Sequence, residues 1–133
     1  MSAEVAYLDA SALVKLLVRE AETTALRRRL PSWPRRASSA LVRVELLRTV
    51  RRAGQARLME GARRQLASID LIRLDDDLLE RAAEIEPSTV RSLDAIHLAT
   101  ALSLGGDLAA IVTYDTRMSA AAQALGLPVI APR

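Results

Sequence analysis

Two short apolar runs, Val5–Leu8 and Ala109–Thr113, each stop within two residues of an aspartate, Asp9 and Asp115, and lead straight into helix-patterned sequence. A run of that length without polar alternation reads as a strand buried on both faces. A buried strand feeding directly into a helix is half of a βαβ unit, which calls for a parallel sheet covered by helices. Further strand signals lie at Arg36–Ser39, at the alternating stretch Ile69–Leu74 and at Pro128–Ile130. Between them the pattern predicts helices over Ala10–Val18, Glu22–Leu30, Leu41–Val50, Gln55–Ala67, Asp75–Glu84, Leu93–Leu104 and Thr116–Leu125. Pro31 and Pro34 stop the second, leaving Trp33 in a loop, and Gly54, Gly105-Gly106 and Gly126 stop later ones. Ser92 is the expected N-cap of its helix. The reading is an α/β fold with a mostly parallel sheet, in one domain over residues 1–133.

In such sheets, binding sites form beyond the carboxyl ends of the strands. Asp9 and Asp115 fall there. Two more acids stand among apolar neighbours: Asp94 in the first turn after Ser92, and Glu45, read as mid-helix between Val44 and Leu46-Leu47. Each has an ordinary explanation. Asp9 and Asp115 serve as N-caps, Asp94 complements a helix dipole, and Glu45 pairs with Arg43 or Arg48 on an exposed face. Gathered at one sheet edge, the four would repel, and a hard divalent cation with oxygen ligands, Mg²⁺ or Mn²⁺, would relieve that repulsion.

Charge points the same way. The net charge is +3, but residues 27–52 carry nine arginines against Glu45 alone, a local +8. That is the footprint of a polyanion-binding surface, or of a face for an acidic peptide, or simply of a solvated helix. Acids beside a basic surface suit metal-assisted phosphodiester chemistry. The chain has no cysteine, which excludes disulfides, zinc–thiolate sites and a thiol nucleophile. It shows no signal-peptide pattern and no apolar stretch long enough to span a bilayer, so a soluble, cytoplasmic protein is expected.

Four stretches carry a resemblance: YLDASALVKLLVRE (7–20), SSALVRVELLR (38–48), RSLDAIHLATAL (91–102) and VTYDTRM (112–118). Together they resemble the PIN-domain ribonucleases, specifically the VapC-type toxins of toxin–antitoxin pairs. The resemblance implies a three-layer α/β/α sandwich, Mg²⁺-dependent endoribonuclease activity (Mn²⁺ as a substitute) and inhibition by a cognate antitoxin. It places the acidic quartet on Asp9, Glu45, Asp94 and Asp115, with Asp9, Asp94 and Asp115 on the metal and Glu45 handling the attacking water. Ser11 and Thr113 would orient a carboxylate or water. The helices around 22–30 and 41–66 would serve dimerisation and antitoxin binding. Arg43, Arg48, Arg51 and Arg52 would meet RNA or antitoxin. Water attack would leave 5′-phosphate and 3′-hydroxyl ends.

Two other readings compete. One is a noncatalytic RNA- or protein-binding module of the same fold. The other is a Mg²⁺-dependent phosphatase or phosphotransferase, which would need a second acid where Asp9-Ala10-Ser11 has none. His97, the only histidine, follows Asp94 by three residues. It could support a site residue or contact substrate; a lone histidine supplies no acid–base pair, so the preferred reading is a partly buried residue hydrogen-bonded to Asp94 or backbone. Tyr7 is assigned to the core. Tyr114 is assigned either to the groove beside Asp115 or to the core.

Overall fold

A computed structural model describes residues 3–133. The elements run β1 Val5–Leu8, α1 Ala10–Lys15, α2 Thr23–Arg29, β2 Arg35–Ser39, α3 Val42–Arg52, α4 Met59–Ala67, β3 Asp70–Ile72, α5 Asp76–Ala83, α6 Ser92–Leu102, β4 Leu108–Val112, α7 Thr116–Ala124 and β5 Val129–Ile130. Single 3-10 turns lie at Leu30–Ser32, Ala56–Leu58 and Gly105–Asp107. The sheet has the order β3-β2-β1-β4-β5, and every neighbouring pair is parallel.

Successive side chains of a strand face opposite ways, and β1 uses both faces. Ala6 and Leu8 pack against Ala12, Leu13, Leu26, Val42, Leu46 and Leu66, the layer formed by α1 to α4. Tyr7 faces the other layer, with Leu98, Ala101, Met118 and Ala122 of α6 and α7. The small residues Ala82, Ala95 and Ala99 let α5 pack closely on α6. The result is the expected α/β/α sandwich.

Several local expectations change. Ser92 does not cap α6; Arg91 takes that position in an extended conformation, without a side-chain bond. The same helix ends at Leu102, before Gly105-Gly106. Trp33 lies in the loop before β2 as expected, yet it is buried in the α1–α4 core, because Pro31 joins a 3-10 turn that folds the chain back onto that layer. Gly54 does close α3, with φ +68°. No helix among the described residues is long and apolar enough to cross a membrane.

Candidate active site

The strand order reverses between β1 and β4: the chain runs outward through β2 and β3 on one side and through β5 on the other. A reversal of this kind opens a crevice at the carboxyl ends of the two central strands. Asp9 follows β1 and Asp115 follows β4, so both lie at that crevice. Each caps its helix. Asp9 Oδ1 accepts from the Ala12 amide, 3.1 Å, and Asp115 Oδ1 from Arg117 and Met118. Glu45 and Asp94 occupy first turns, of α3 and α6. Glu45 is therefore not mid-helix, because α3 begins at Val42 with Leu41 as a cap that makes no side-chain bond. All four acids sit at helix N-termini, where the partial positive charge of unpaired amides offsets part of their mutual repulsion.

Asp9 is the most tightly held. It is 5% exposed. Ser11 Oγ donates to its Oδ1 at 2.6 Å and Thr113 Oγ1 to its Oδ2 at 2.5 Å. Thr113 in turn accepts from the Asp115 amide at 3.1 Å, and Ser11 from the Tyr114 amide at 2.9 Å. The two hydroxyls thus bind the ends of β1 and β4 into one unit. Desolvation by burial pushes the Asp9 carboxyl above its ordinary range, against the pull of those donors. The half-buried Asp94 is also raised, first by desolvation and then by the negative charge of Asp115, with Arg117 opposing.

Glu45 does not pair with Arg43 or Arg48. It turns to α6, where His97 Nε2 lies 2.6 Å from its Oε1. His97 does not bond to Asp94 or backbone either: its Nδ1 lies 2.6 Å from the Tyr7 hydroxyl. Tyr7 is in the core as expected, but its hydroxyl also accepts from the Ser39 amide, 3.1 Å, and burial holds the phenol well above its usual range. The structure therefore joins Asp9 to Asp115 through Thr113, sets Asp94 within the field of Asp115, and links Glu45 to β1 through His97 and Tyr7. It does not press the four carboxylates against one another. Among the described residues, no three histidine, aspartate or glutamate side chains form a ready-made metal cage.

Two clefts of about 330 and 360 Å³ open beside this edge. The first is bordered by Asp94, Arg91 and Arg117, the second by Ser11, Lys15, Glu20 and Tyr114. Lys15 was missed by sequence reasoning. It bridges Glu22 at 2.8 Å and Glu20 at 3.4 Å, and its ammonium sits 4.7 Å from the centroid of the Tyr114 ring. The only signal was its place one turn beyond Ser11. Tyr114 is partly buried against the core and donates to the Pro132 carbonyl. Arg43, Arg48, Arg51 and Arg52 are exposed on α3, and among the described residues none of them pairs with a carboxylate.

The family model described as PIN domain matches residues 6–124. The chain belongs to the PIN-domain family. Ribonuclease VapC46 of Mycobacterium tuberculosis (strain ATCC 25618 / H37Rv) is 52% identical over 126 residues, covering 95% of this chain and 96% of that one. Ribonuclease VapC47 of Mycobacterium tuberculosis (strain CDC 1551 / Oshkosh) is 43% identical over 130 residues, with the same coverage. Within the family the chain is thus of the VapC type. Two solved structures share the fold: VapC20 of Mycobacterium tuberculosis, a sarcin–ricin-loop-cleaving toxin (TM-score 0.76, 21% identity, 96% of this chain and 99% of that chain), and a toxin–antitoxin complex from Klebsiella pneumoniae (TM-score 0.72, 24% identity, 96% and 98%).

The donor set of this PIN domain suits a hard cation. Its candidate ligands are all carboxylate oxygens, and Asp94 and Asp115 already repel each other. Mg²⁺ commonly takes only one or two protein carboxylates and keeps several waters, so a closed protein cage is not required.

Proposed function

We propose that this PIN-domain protein is a Mg²⁺-dependent endoribonuclease, with Mn²⁺ as a substitute, and the toxin of a toxin–antitoxin pair. The observation that supports the site is the placement of Asp9 and Asp115 at the carboxyl ends of β1 and β4, joined through Thr113, with the Asp94 carboxyl raised by desolvation and then by the charge of Asp115. Support for RNA as substrate comes from the 52% identity to a ribonuclease along nearly the whole chain. Support for an antitoxin partner comes from the structural likeness to a toxin–antitoxin complex.

Asp9, Asp94 and Asp115 would hold the ion, with Asp115 acting directly or through water. A divalent ion there would stabilise charge on the phosphoryl and leaving oxygens and make water a better nucleophile. Ser11 and Thr113 keep the Asp9 carboxylate in one rotamer by donating to both of its oxygens. Glu45 orients the attacking water and accepts its proton. Arg43, Arg48, Arg51 and Arg52 extend from α3 as exposed guanidiniums, free to meet phosphates or an acidic antitoxin tail. A homodimer through the α2–α4 layer completes the proposal.

The test is cleavage of RNA by the purified protein with Mg²⁺ or Mn²⁺, its loss with EDTA, and 5′-phosphate on the products. Cleavage undiminished by EDTA, or cyclic-phosphate ends, would overturn the metal–water reading.

A further inference from the structure

His97 is nearly fully buried, 3% exposed, yet it contacts a carboxylate that reaches solvent, Glu45 at 23%. One bond in the chain leading to it has a fixed direction. The Ser39 amide can only donate, and it donates to the Tyr7 hydroxyl. The phenolic proton then has His97 Nδ1, 2.6 Å away, as its shortest acceptor contact among the hydrogen bonds of the described residues. An imidazole accepting at Nδ1 carries its proton on Nε2. That Nε2–H points at Glu45 Oε1, 2.6 Å away. The ring is further fixed by an edge-to-face contact with Tyr7, the planes 77° apart and the centroids 5.9 Å.

The partner that Glu45 does not take matters as much. Glu60 and Asp77 pair with the arginine one turn on in their own helices. Glu45 has Arg48 three residues on and Arg43 two before, both exposed, and turns from both to a histidine on another helix. A guanidinium would compensate the carboxylate's charge and make it a poorer proton acceptor. A single ring N–H donor orients one oxygen and leaves the other without a partner. Oε2 accepts no hydrogen bond from the described residues.

We propose that Tyr7 and His97 are positioning residues for Glu45: the chain Ser39 amide, Tyr7 hydroxyl, His97 imidazole fixes the Nε2–H tautomer and aims the carboxylate at the attacking water. This rests on the reading of Glu45 as the water-handling acid. His97 is the chain's only histidine, so its ring ¹⁵N and ¹H signals are identifiable in the intact protein without assignment by elimination. The expected spectrum is that of the Nε2–H tautomer, moving toward mixed tautomers in Tyr7→Phe. A Nδ1–H tautomer in the wild type, or a spectrum unmoved by Tyr7→Phe, would overturn the proposal.

With an RNA oligonucleotide that the wild type cuts, Tyr7→Phe and His97→Asn should each lower kcat about tenfold. KM should stay within about twofold, because the pair touches no substrate. His97→Gln, whose amide nitrogen reaches near the place of Nε2, should recover part of the rate. Unchanged kcat in His97→Asn, or His97→Gln no better than His97→Asn, would sink the pair's role. Glu45→Gln separates the two claims. Full activity there removes Glu45 from the chemistry while the tautomer is still read independently. Loss there, with Tyr7→Phe unimpaired, removes only the pair. If Tyr7→Phe does not fold, the histidine variants and the wild-type spectrum still decide.

Discussion

Asp9 and Asp75 do the same local job in different places. Each follows a strand, caps the next helix, and accepts from the amide three residues on, Ala12 at 3.1 Å and Leu78 at 2.8 Å. Asp75 follows the edge strand β3 and is exposed. Asp9 follows the central strand β1 where the strand order reverses, and is buried under two hydroxyl donors. Cap chemistry explains why an aspartate stands at either position. Only the strand order explains why one of them stands at the crevice between β1 and β4.

The largest expected difference between the two is in cleavage. Asp9→Asn should lower the RNA cleavage rate by on the order of 10²-fold or more, as loss of a principal electrostatic group does, while Asp75→Asn leaves it within about twofold. Equal losses in both would erase the distinction. Next, a divalent ion should raise the Tm of the wild type and of Asp75→Asn but not of Asp9→Asn. Binding to the folded state alone contributes about 1.4 kcal/mol at ten times the Kd.

Stability should move in opposite senses. Asp75→Ala loses a cap and should cost about 1 kcal/mol. Asp9→Asn keeps a side-chain oxygen for the Ala12 amide and removes a buried charge, so in metal-free buffer its Tm should rise by about 2–4 °C. The pH dependence has a definite sign. The folded-state pKa of Asp9 is raised above its ordinary value of 3.8 by desolvation, so the native state holds the proton more tightly than the unfolded chain. The penalty is full above the folded pKa and disappears as pH falls toward 3.8. The Tm advantage of Asp9→Asn should therefore be greatest at neutral pH and close on acidification. A gap that widens toward low pH would contradict the burial argument. The smallest effect expected is in binding. Arg51→Ala/Arg52→Ala should reduce the slope of log K against log salt by about 1.4, at ~0.7 per phosphate contact with single-stranded RNA.

What could be read from the sequence followed from what is local. Strand-then-aspartate-then-helix is a local pattern, and it located β1, β4 and the caps at Asp9 and Asp115. Spacing does not single out the buried face of α3: Val42, Leu46 and Val50 are buried, while the equally apolar Val44 is exposed. Ser92 has the right chemistry for a cap, but Arg91 adopts the extended backbone and Ser92 is drawn into the helix. The partner of His97 could not be read at all. Periodicity offers neighbours three and four residues away, such as Asp94, whereas the bonds that form reach Glu45, 52 residues distant, and Tyr7, 90 residues distant. Trp33 was hidden for a similar reason: its burial is decided by where the chain turns after Pro31.

The bond from Thr113 to Asp9 joins residues 104 apart in the chain. A ribosome making this protein releases Asp9 well before Thr113. Until β4 emerges and slides in beside β1, Asp9 lacks the hydroxyl that fixes one of its oxygens, and Asp115 does not yet stand beside it. A chain cut short before β4 therefore carries Asp9, Glu45 and Asp94 but neither the hydroxyl nor the fourth carboxylate that complete their arrangement.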